Sequence, residues 1–185
     1  MNLPKSNILF SEEQIRKRVK EIGKSLTQKY ADNKPIVCVC VLRGAIMFFT
    51  DLMKEIDSEN VVYEFITLQS YESAMVQGET SMVTTGRVKL VQDLRTSVED
   101  KHVLVVEDIV DSGYTLSFLR QYFQNKNALD VTVACLLDKP LSRKIEVKVD
   151  YTAFTLERSS YIIGYGLDAD QKYRNLNGIY EVVQS

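Results

Sequence analysis

The sequence predicts an α/β chain with a central, mostly parallel, twisted sheet flanked by helices. Two observations carry this. Residues 35–42 and 103–106 are short unbroken apolar runs and 131–137 a largely apolar one, the length of strands buried on both faces. After two of these runs the period changes. Ile46, Phe49, Met53 and Ile56 follow the first, and Leu116, Leu119, Tyr122 and Phe123 follow the second; each set falls on one side of a helix. Both transitions pass through a charged turn containing glycine, and in open α/β sheets ligands bind where strands end and helices begin.

Taken in order, Ser11-Glu12-Glu13-Gln14 has capping-box spacing with acids in the first turn. Ile15, Val19, Ile22 and Leu26 then mark one face of a helix to about Tyr30. Asn33-Lys34-Pro35 is a turn. The strand at 35–42 stops at Arg43-Gly44-Ala45, a turn able to aim N–H groups and an arginine at an anion, and equally able to be a plain connection with a solvated arginine. Residues 61–68 alternate as a third strand. From 69 to about 86 the pattern dissolves into Ser, Glu, Gln, Gly and Thr. So long a structureless stretch exceeds the ~12–15 residues beyond which a loop is usually functional or disordered, so a flexible lid is expected there. Strand spacing returns over 87–94, 151–156 and 161–163, and 179–183 reads as a closing edge strand.

The chemistry concentrates in Glu107-Asp108-Ile109-Val110-Asp111-Ser112-Gly113-Tyr114-Thr115, read as an acidic loop between strand and helix. Ser112, Gly113, Tyr114 and Thr115 offer backbone N–H groups at a helix start, plus hydroxyls, which suit a dianionic phosphate. Glu107 and Asp108 only accept hydrogen bonds when ionised, so they suit a donor of two neighbouring hydroxyls. A phosphate nest beside a diol clamp implies a ribose 5-phosphate. Gly113 leaves room for close backbone approach. Lys139, in Asp138-Lys139-Pro140, stands at a strand's functional end, where it can donate to a carbonyl or be an ordinary surface lysine. Gly164-Tyr165-Gly166-Leu167-Asp168-Ala169 formally matches a dinucleotide-binding fingerprint, but too little chain follows for the βαβ unit that motif requires.

The Glu-Asp-Ile-Val-Asp-Ser-Gly-x-Thr-Leu segment resembles the phosphoribosyl pyrophosphate (PRPP) signature of type I phosphoribosyltransferases, in the form seen in hypoxanthine-guanine phosphoribosyltransferases. Leu42-Arg43-Gly44, Ser70-Tyr71, Leu-Leu-Asp-Lys-Pro and the segment from Tyr161 to Arg174 extend the likeness over most of the chain. It implies the type I phosphoribosyltransferase fold as one domain over 1–185, with a small hood from the N-terminal segment and residues 151–185, and a lid at 69–86 opened by Ser70 and Tyr71. It implies a cis peptide between Leu42 and Arg43, pyrophosphate bound by Leu42, Arg43, Gly44 and Arg174, and ribose phosphate bound by Glu107, Asp108 and Asp111 to Thr115. Purine contacts fall to Lys139, Tyr161, Ile162 and Asp168, with Asp111 as general base at the purine N7. Arg143 is a candidate phosphate or loop partner. Mg²⁺ is the implied cofactor, carried largely by PRPP, with Glu107, Asp108 and Asp168 as its protein carboxylates. The implied reaction transfers the phosphoribosyl group of PRPP to a 6-oxopurine, hypoxanthine or guanine, in purine salvage, by an enzyme that is a dimer or tetramer.

Composition bounds the alternatives. Across 185 residues, 45% hydrophobic content suffices for a sizeable core, and a net charge of −2 with pI near 5.6 argues against a nucleic-acid surface. No apolar run approaches the ~18 residues of a membrane span. Cys38, Cys40 and Cys135 lie in apolar runs and read as core residues of a reduced, cytoplasmic protein. His102, the only histidine, precedes the strand's functional end and is assigned no catalytic role. A regulator on the same fold would want a basic patch or an added DNA-binding segment; neither is visible.

Overall fold

The computed structural model describes residues 4–71, 87–157 and 160–183. In chain order the elements are β1 (Ser6–Phe10), α1 (Glu12–Lys29), β2 (Ile36–Leu42), α2 (Ile46–Lys54), β3 (Val61–Tyr71), β4 (Arg87–Gln92), β5 (His102–Val110), α3 (Tyr114–Asn125), β6 (Asp130–Asp138), β7 (Tyr151–Thr155), β8 (Ile162–Ile163) and β9 (Ile179–Val182). Six strands form one sheet in the order β4-β3-β2-β5-β6-β7, parallel except for the antiparallel β3–β4 pair. A second, antiparallel sheet has the order β1-β9-β8.

Side-chain alternation divides the core into two layers. Cys38, Cys40, Leu104 and Val106 face α1 and α2, while Val37, Val39, Val103 and Val105 face α3. Helix α1 begins with the predicted capping box: the Gln14 amide donates to Ser11 Oγ, and the Ser11 amide donates to Gln14 Oε1 at 2.8 Å. Its Ile15, Val19, Ile22 and Leu26 are buried as the spacing requires. All three cysteines are free and buried. Burial pushes the Cys38 and Cys40 thiols up to about 12, which keeps them as inert core groups.

Several expectations need correction. Strand β5 runs to Val110, because Glu107, Ile109 and Val110 pair in register with Cys135, Leu137 and Asp138 of β6. Glu107 and Asp108 therefore stand in a strand rather than a loop. Residues 151–155 are not hood: β7 continues the main sheet beside β6, and Arg18 of α1 donates to the Thr152 and Ala153 carbonyls at 2.9 and 3.0 Å, occupying that outer edge. Strand β9 is not an edge strand, since it lies between β1 and β8. Strand β3 extends to Tyr71, so residues 69–71 of the expected lid are strand, paired with Lys89, Val88 and Arg87. The rest of the lid, 72–86, lies outside the described residues, as do the Ser70 and Tyr71 side chains. Strand β4 ends at Gln92, two residues short of expectation.

Candidate active site

Strands β2 and β5 are parallel neighbours, but the chain leaves β2 for α2 on one face and β5 for α3 on the other. Their diverging turns leave a crevice at the carboxyl ends, the topological switch point of an open α/β sheet. The candidate residues come from these two turns, from the end of β6, and from the segment between β8 and β9.

On the β2 side the Leu42–Arg43 peptide is cis, as the resemblance implied. Gly44 packs directly on β5: a Cβ there would lie 1.5 Å from Asp108 Oδ2. Gly166, at φ +99°, packs on Gly44 in turn, and a Cβ would lie 2.0 Å from the Gly44 carbonyl oxygen. Around this contact two cations gather on one neutral acceptor. Arg43 and Arg174 donate to Gln171 Oε1 at 3.1 and 3.3 Å. Arg174 also reaches the Gly166 carbonyl at 2.7 Å and Asp168 Oδ1 at 2.6 Å, while the Gln171 amide donates to Asp168 Oδ2 at 2.8 Å.

The paired acids are short of partners. Glu107 is buried, and among the described residues nothing donates to its Oε2. Its pKa is raised, by burial first and then by the neighbouring Asp108 charge. Burial also raises Asp108, against the pull of the Ile109 amide, which donates to Oδ1 at 2.9 Å, and of Arg174. A buried acceptor left without a donor is costly, so Glu107 Oε2 is chemically set to receive a hydroxyl group or a cation, with Asp108 beside it in the chain.

Beyond β5, Gly113 at φ +94° turns the chain into α3 and has no side chain to cap it. Among the described residues no hydrogen bond takes the amides of Ser112, Gly113, Tyr114 or Thr115. The exposed Asp111 precedes them. The Lys139 amide donates to the Val110 carbonyl at 2.9 Å, which fixes this lysine beside the turn, and its Nζ lies 3.5 Å from the Ser160 carbonyl. Tyr161, 52% exposed, follows, and Ile162 is buried in β8 opposite Glu181.

The candidates thus form two groups joined through β5. Arg43, Gly44, Asp108, Asp168 and Arg174 form one; Asp111 to Thr115 and Lys139 form the other. Asp168 has its contacts in the first group, on the arginine side rather than beside Lys139. Sequence reasoning missed Gln171 and the close approach of Gly166: Arg43 and Gly44, which they meet, lie over a hundred residues away. Of the two roles expected of Arg143, phosphate or loop partner, the structure shows the second: it bonds to the Asp111 carbonyl and pairs with Asp138. The Gly164–Ala169 segment is a knot of turns, with Gly164 and Leu167 exchanging backbone bonds at 3.0 and 3.1 Å and no helix following among the described residues, as its rejection as a dinucleotide motif requires.

Residues 7–172 match the sequence profile of the phosphoribosyl transferase domain. The hypoxanthine-guanine phosphoribosyltransferase of Bacillus subtilis strain 168 is 42% identical over 169 residues, covering 91% of this chain and 88% of that protein. The chain belongs to the hypoxanthine-guanine phosphoribosyltransferase family. Solved structures of the family superpose closely. The Bacillus anthracis hypoxanthine-guanine phosphoribosyltransferase, with a HEPES molecule in its active site, matches with TM-score 0.86 at 36% identity over 99% of this chain and 100% of that one. The Trypanosoma cruzi hypoxanthine phosphoribosyltransferase, in complex with the product IMP, matches with TM-score 0.85 at 33% identity over 99% and 96%. The fold is therefore the type I phosphoribosyltransferase fold.

Proposed function

We propose that this chain is a purine-salvage enzyme that transfers the 5-phosphoribosyl group of PRPP to hypoxanthine and guanine, releasing pyrophosphate and IMP or GMP. One observation supports the reading above all: strand β5 ends with Glu107, whose buried Oε2 has no partner among the described residues, and with Asp108, and the chain then turns through a left-handed Gly113 to the unengaged amides that open α3. In this reading the end of strand β5 supplies acceptors for a ribose diol, and the turn that follows it supplies donors for the 5′-phosphate.

In this reading the residues divide the work. Ser112 to Thr115 hold the phosphate, and Glu107 and Asp108 hold the ribose hydroxyls. Asp111 takes the N7 proton as the purine attacks C1′, and Lys139 donates to O6 and draws electron density the same way. Tyr161 stacks on the base, with the Ile162 backbone at its edge. Leu42, Arg43, Gly44 and Arg174 receive the leaving pyrophosphate, where preorganised donors stabilise charge as it develops. Residues 72–86, entered from Ser70 and Tyr71 at the end of β3, are the lid of this reading, whose role would be to exclude water from the electrophilic sugar carbon.

Among the described residues Glu107, Asp108 and Asp168 do not gather into one metal-holding group, and Asp168 is already paired with Arg174, so in this reading Mg²⁺ would be carried largely by PRPP oxygens and waters, with the unpartnered Glu107 oxygen and Asp108 as hard oxygen donors beside it. When bound it would supply charge neutralisation to the pyrophosphate. No helix of the described residues is long and apolar enough to cross a membrane. We take the chain to work as one domain, in the cytoplasm, and as a dimer or tetramer. The exposed Tyr63 and Phe65 beside Phe49 support self-association.

A spectrophotometric assay with PRPP, Mg²⁺ and each of hypoxanthine, guanine, xanthine and adenine tests the reading. Turnover of the first two is expected, and turnover of adenine alone would refute it. Asp111→Asn is expected to cut turnover by roughly 10²–10⁴-fold, the usual contribution of a general base.

A further inference from the structure

We infer that Arg143 is a positioning residue that aims Asp111 and the adjoining amide toward the reacting centre by holding their backbone from behind, and is not itself a phosphate ligand. The inference rests on the proposed role of Asp111 as base. Three consecutive carbonyls at the end of β5 are taken by the chain that follows β6. The Lys139 amide donates to Val110 O at 2.9 Å, Arg143 Nη1 to Asp111 O at 2.9 Å, and the Lys144 and Ile145 amides to Ser112 O at 2.9 and 3.2 Å. Only the middle bond comes from a side chain. In a trans peptide the carbonyl of one residue and the N–H of the next point in opposite directions. The one cis bond among the described residues is Leu42–Arg43. Pinning the Asp111 and Ser112 carbonyls toward the 143–145 segment therefore turns the Ser112 and Gly113 amides the other way, where no hydrogen bond takes them among the described residues.

Arg143 is suited to this work and unsuited to binding substrate. Its side chain is 16% exposed, and its second nitrogen is paired with the Asp138 carboxylate, so its charge is already answered. Asp138 immediately precedes Lys139. One planar guanidinium thus ties the strand end carrying the proposed O6 donor to the turn carrying the proposed base. The packing leaves little play: a Cβ on Gly113 would meet Ile145 O at 2.8 Å and Arg143 Cδ at 3.2 Å. Lysine offers a point charge without the fork, so it can serve Asp138 or the Asp111 carbonyl but not both in this geometry.

The test is a double-mutant cycle on Asp111→Asn and Arg143→Met, read as single-turnover rates of nucleotide formation, with Arg143→Lys in parallel. Arg143→Met alone should slow the chemical step by roughly 10–100-fold, the scale of a misplaced catalytic group. In the Asp111→Asn background it should slow the reaction less than threefold, because the group it positions is gone. Arg143→Lys, which keeps the charge, should retain the wild-type unfolding temperature yet lose most of the same rate. Equal losses in both backgrounds would overturn the inference, as would a rise in the KM for PRPP that Arg143→Lys repairs, since that marks a phosphate ligand. Should Arg143→Met fail to fold, the same cycle with Arg143→Lys decides by the same criterion. If the wild-type protein makes no nucleotide from PRPP and a 6-oxopurine, the proposed function falls and this inference with it; additive losses in an active enzyme sink the inference alone.

Discussion

At position 44 the absence of a single methyl group decides how close two strands' ends can come. The Gly44 α-carbon packs against the Asp108 carboxylate and its carbonyl oxygen against Gly166, so three parts of the crevice meet at one residue. Gly44→Ala would push a Cβ into the Asp108 carboxylate, whose other oxygen is held by the Ile109 amide, so that the carboxylate must give up that bond to swing clear. The expected outcome is a fall in kcat/KM for PRPP of roughly 10²-fold, the scale associated with a displacement of about 1 Å in an active site. A stability loss of about 1–3 kcal/mol should accompany it, as for other overpacked sites. Steady-state kinetics and urea unfolding of the variant check both, and kinetics within threefold of wild type would show that this contact does not set the crevice. Position 44 also shows what a residue-level reading of sequence can reach. A glycine between a strand and a helix is visible as a place for close backbone approach, but what approaches is not, because Asp108 and Gly166 are brought there by the fold. Gln171 is the same case in reverse: nothing near it in sequence marks a glutamine that holds two arginines contributed by different turns.

At the scale of elements, the readable parts were those whose pattern is local. The β2–α2 and β5–α3 units announced themselves by a change of apolar period, and α1 by its capping box. Elements defined by distant pairing did not. Strand β1 pairs with residues some 170 positions away, and no local alternation marks it; β7 has the spacing of a strand, but only its pairing with β6 tells which sheet it joins. The extent of β5 past its apolar run depends on β6 beside it. The hood joins the main body through one such distant contact, a stack of Phe10 on Phe154 with ring centroids 4.0 Å apart. Phe10→Ala should lower unfolding stability by about 1–3 kcal/mol, less than for a fully buried ring because Phe10 is half-buried. It should also raise the KM for the purine, since Tyr161 and Ile162 hang from the hood. Unfolding and kinetics measured together distinguish this from a purely structural loss.

The opposite end of the sheet is a separate element with its own pH behaviour. His102 opens β5 between the carboxylates of Asp32, at 3.0 Å, and Asp130, which Lys29 also reaches at 2.9 Å. The hydrogen bond from His102 holds Asp32 below the usual carboxylate range. Burial would raise Asp130, but His102 and Lys29 together hold it low as well. A carboxylate depressed in the folded protein adds stability above the unfolded-state value, and that stability is lost as pH falls through the folded one, because the unfolded chain takes up the proton first. Thermal unfolding followed from neutral pH down through the carboxylate range should therefore show a decline that Asp130→Asn makes shallower. At neutral pH that variant should be less stable by about 1–3 kcal/mol, the cost of removing a charged partner from a part-buried hydrogen bond. An unchanged slope would remove this cluster from the acid response. The lone histidine's place at this end, away from the crevice, agrees with its exclusion from catalysis.

For the whole molecule, the crevice is assembled from both halves of the main sheet and from the hood, so a ligand that fills it should stabilise the entire fold rather than one turn. A ligand bound only by the native state adds RT ln(1 + [L]/Kd), about 2.7 kcal/mol at a hundredfold excess over Kd. For a chain of this size that corresponds to a rise in unfolding temperature of roughly 5–10 °C. IMP is the probe of choice, because it carries base, ribose and 5′-phosphate together. Inosine differs from it only by the phosphate, the one group assigned to the unengaged amides at the start of α3. At equal concentration inosine should leave the unfolding temperature nearly unchanged, and inorganic phosphate alone should do little, since neither engages both the amides and the Glu107–Asp108 pair. Equal protection by inosine and IMP would mean that the α3 amides hold nothing. Protection by neither would mean that the acids and amides, though adjacent, do not act as one site.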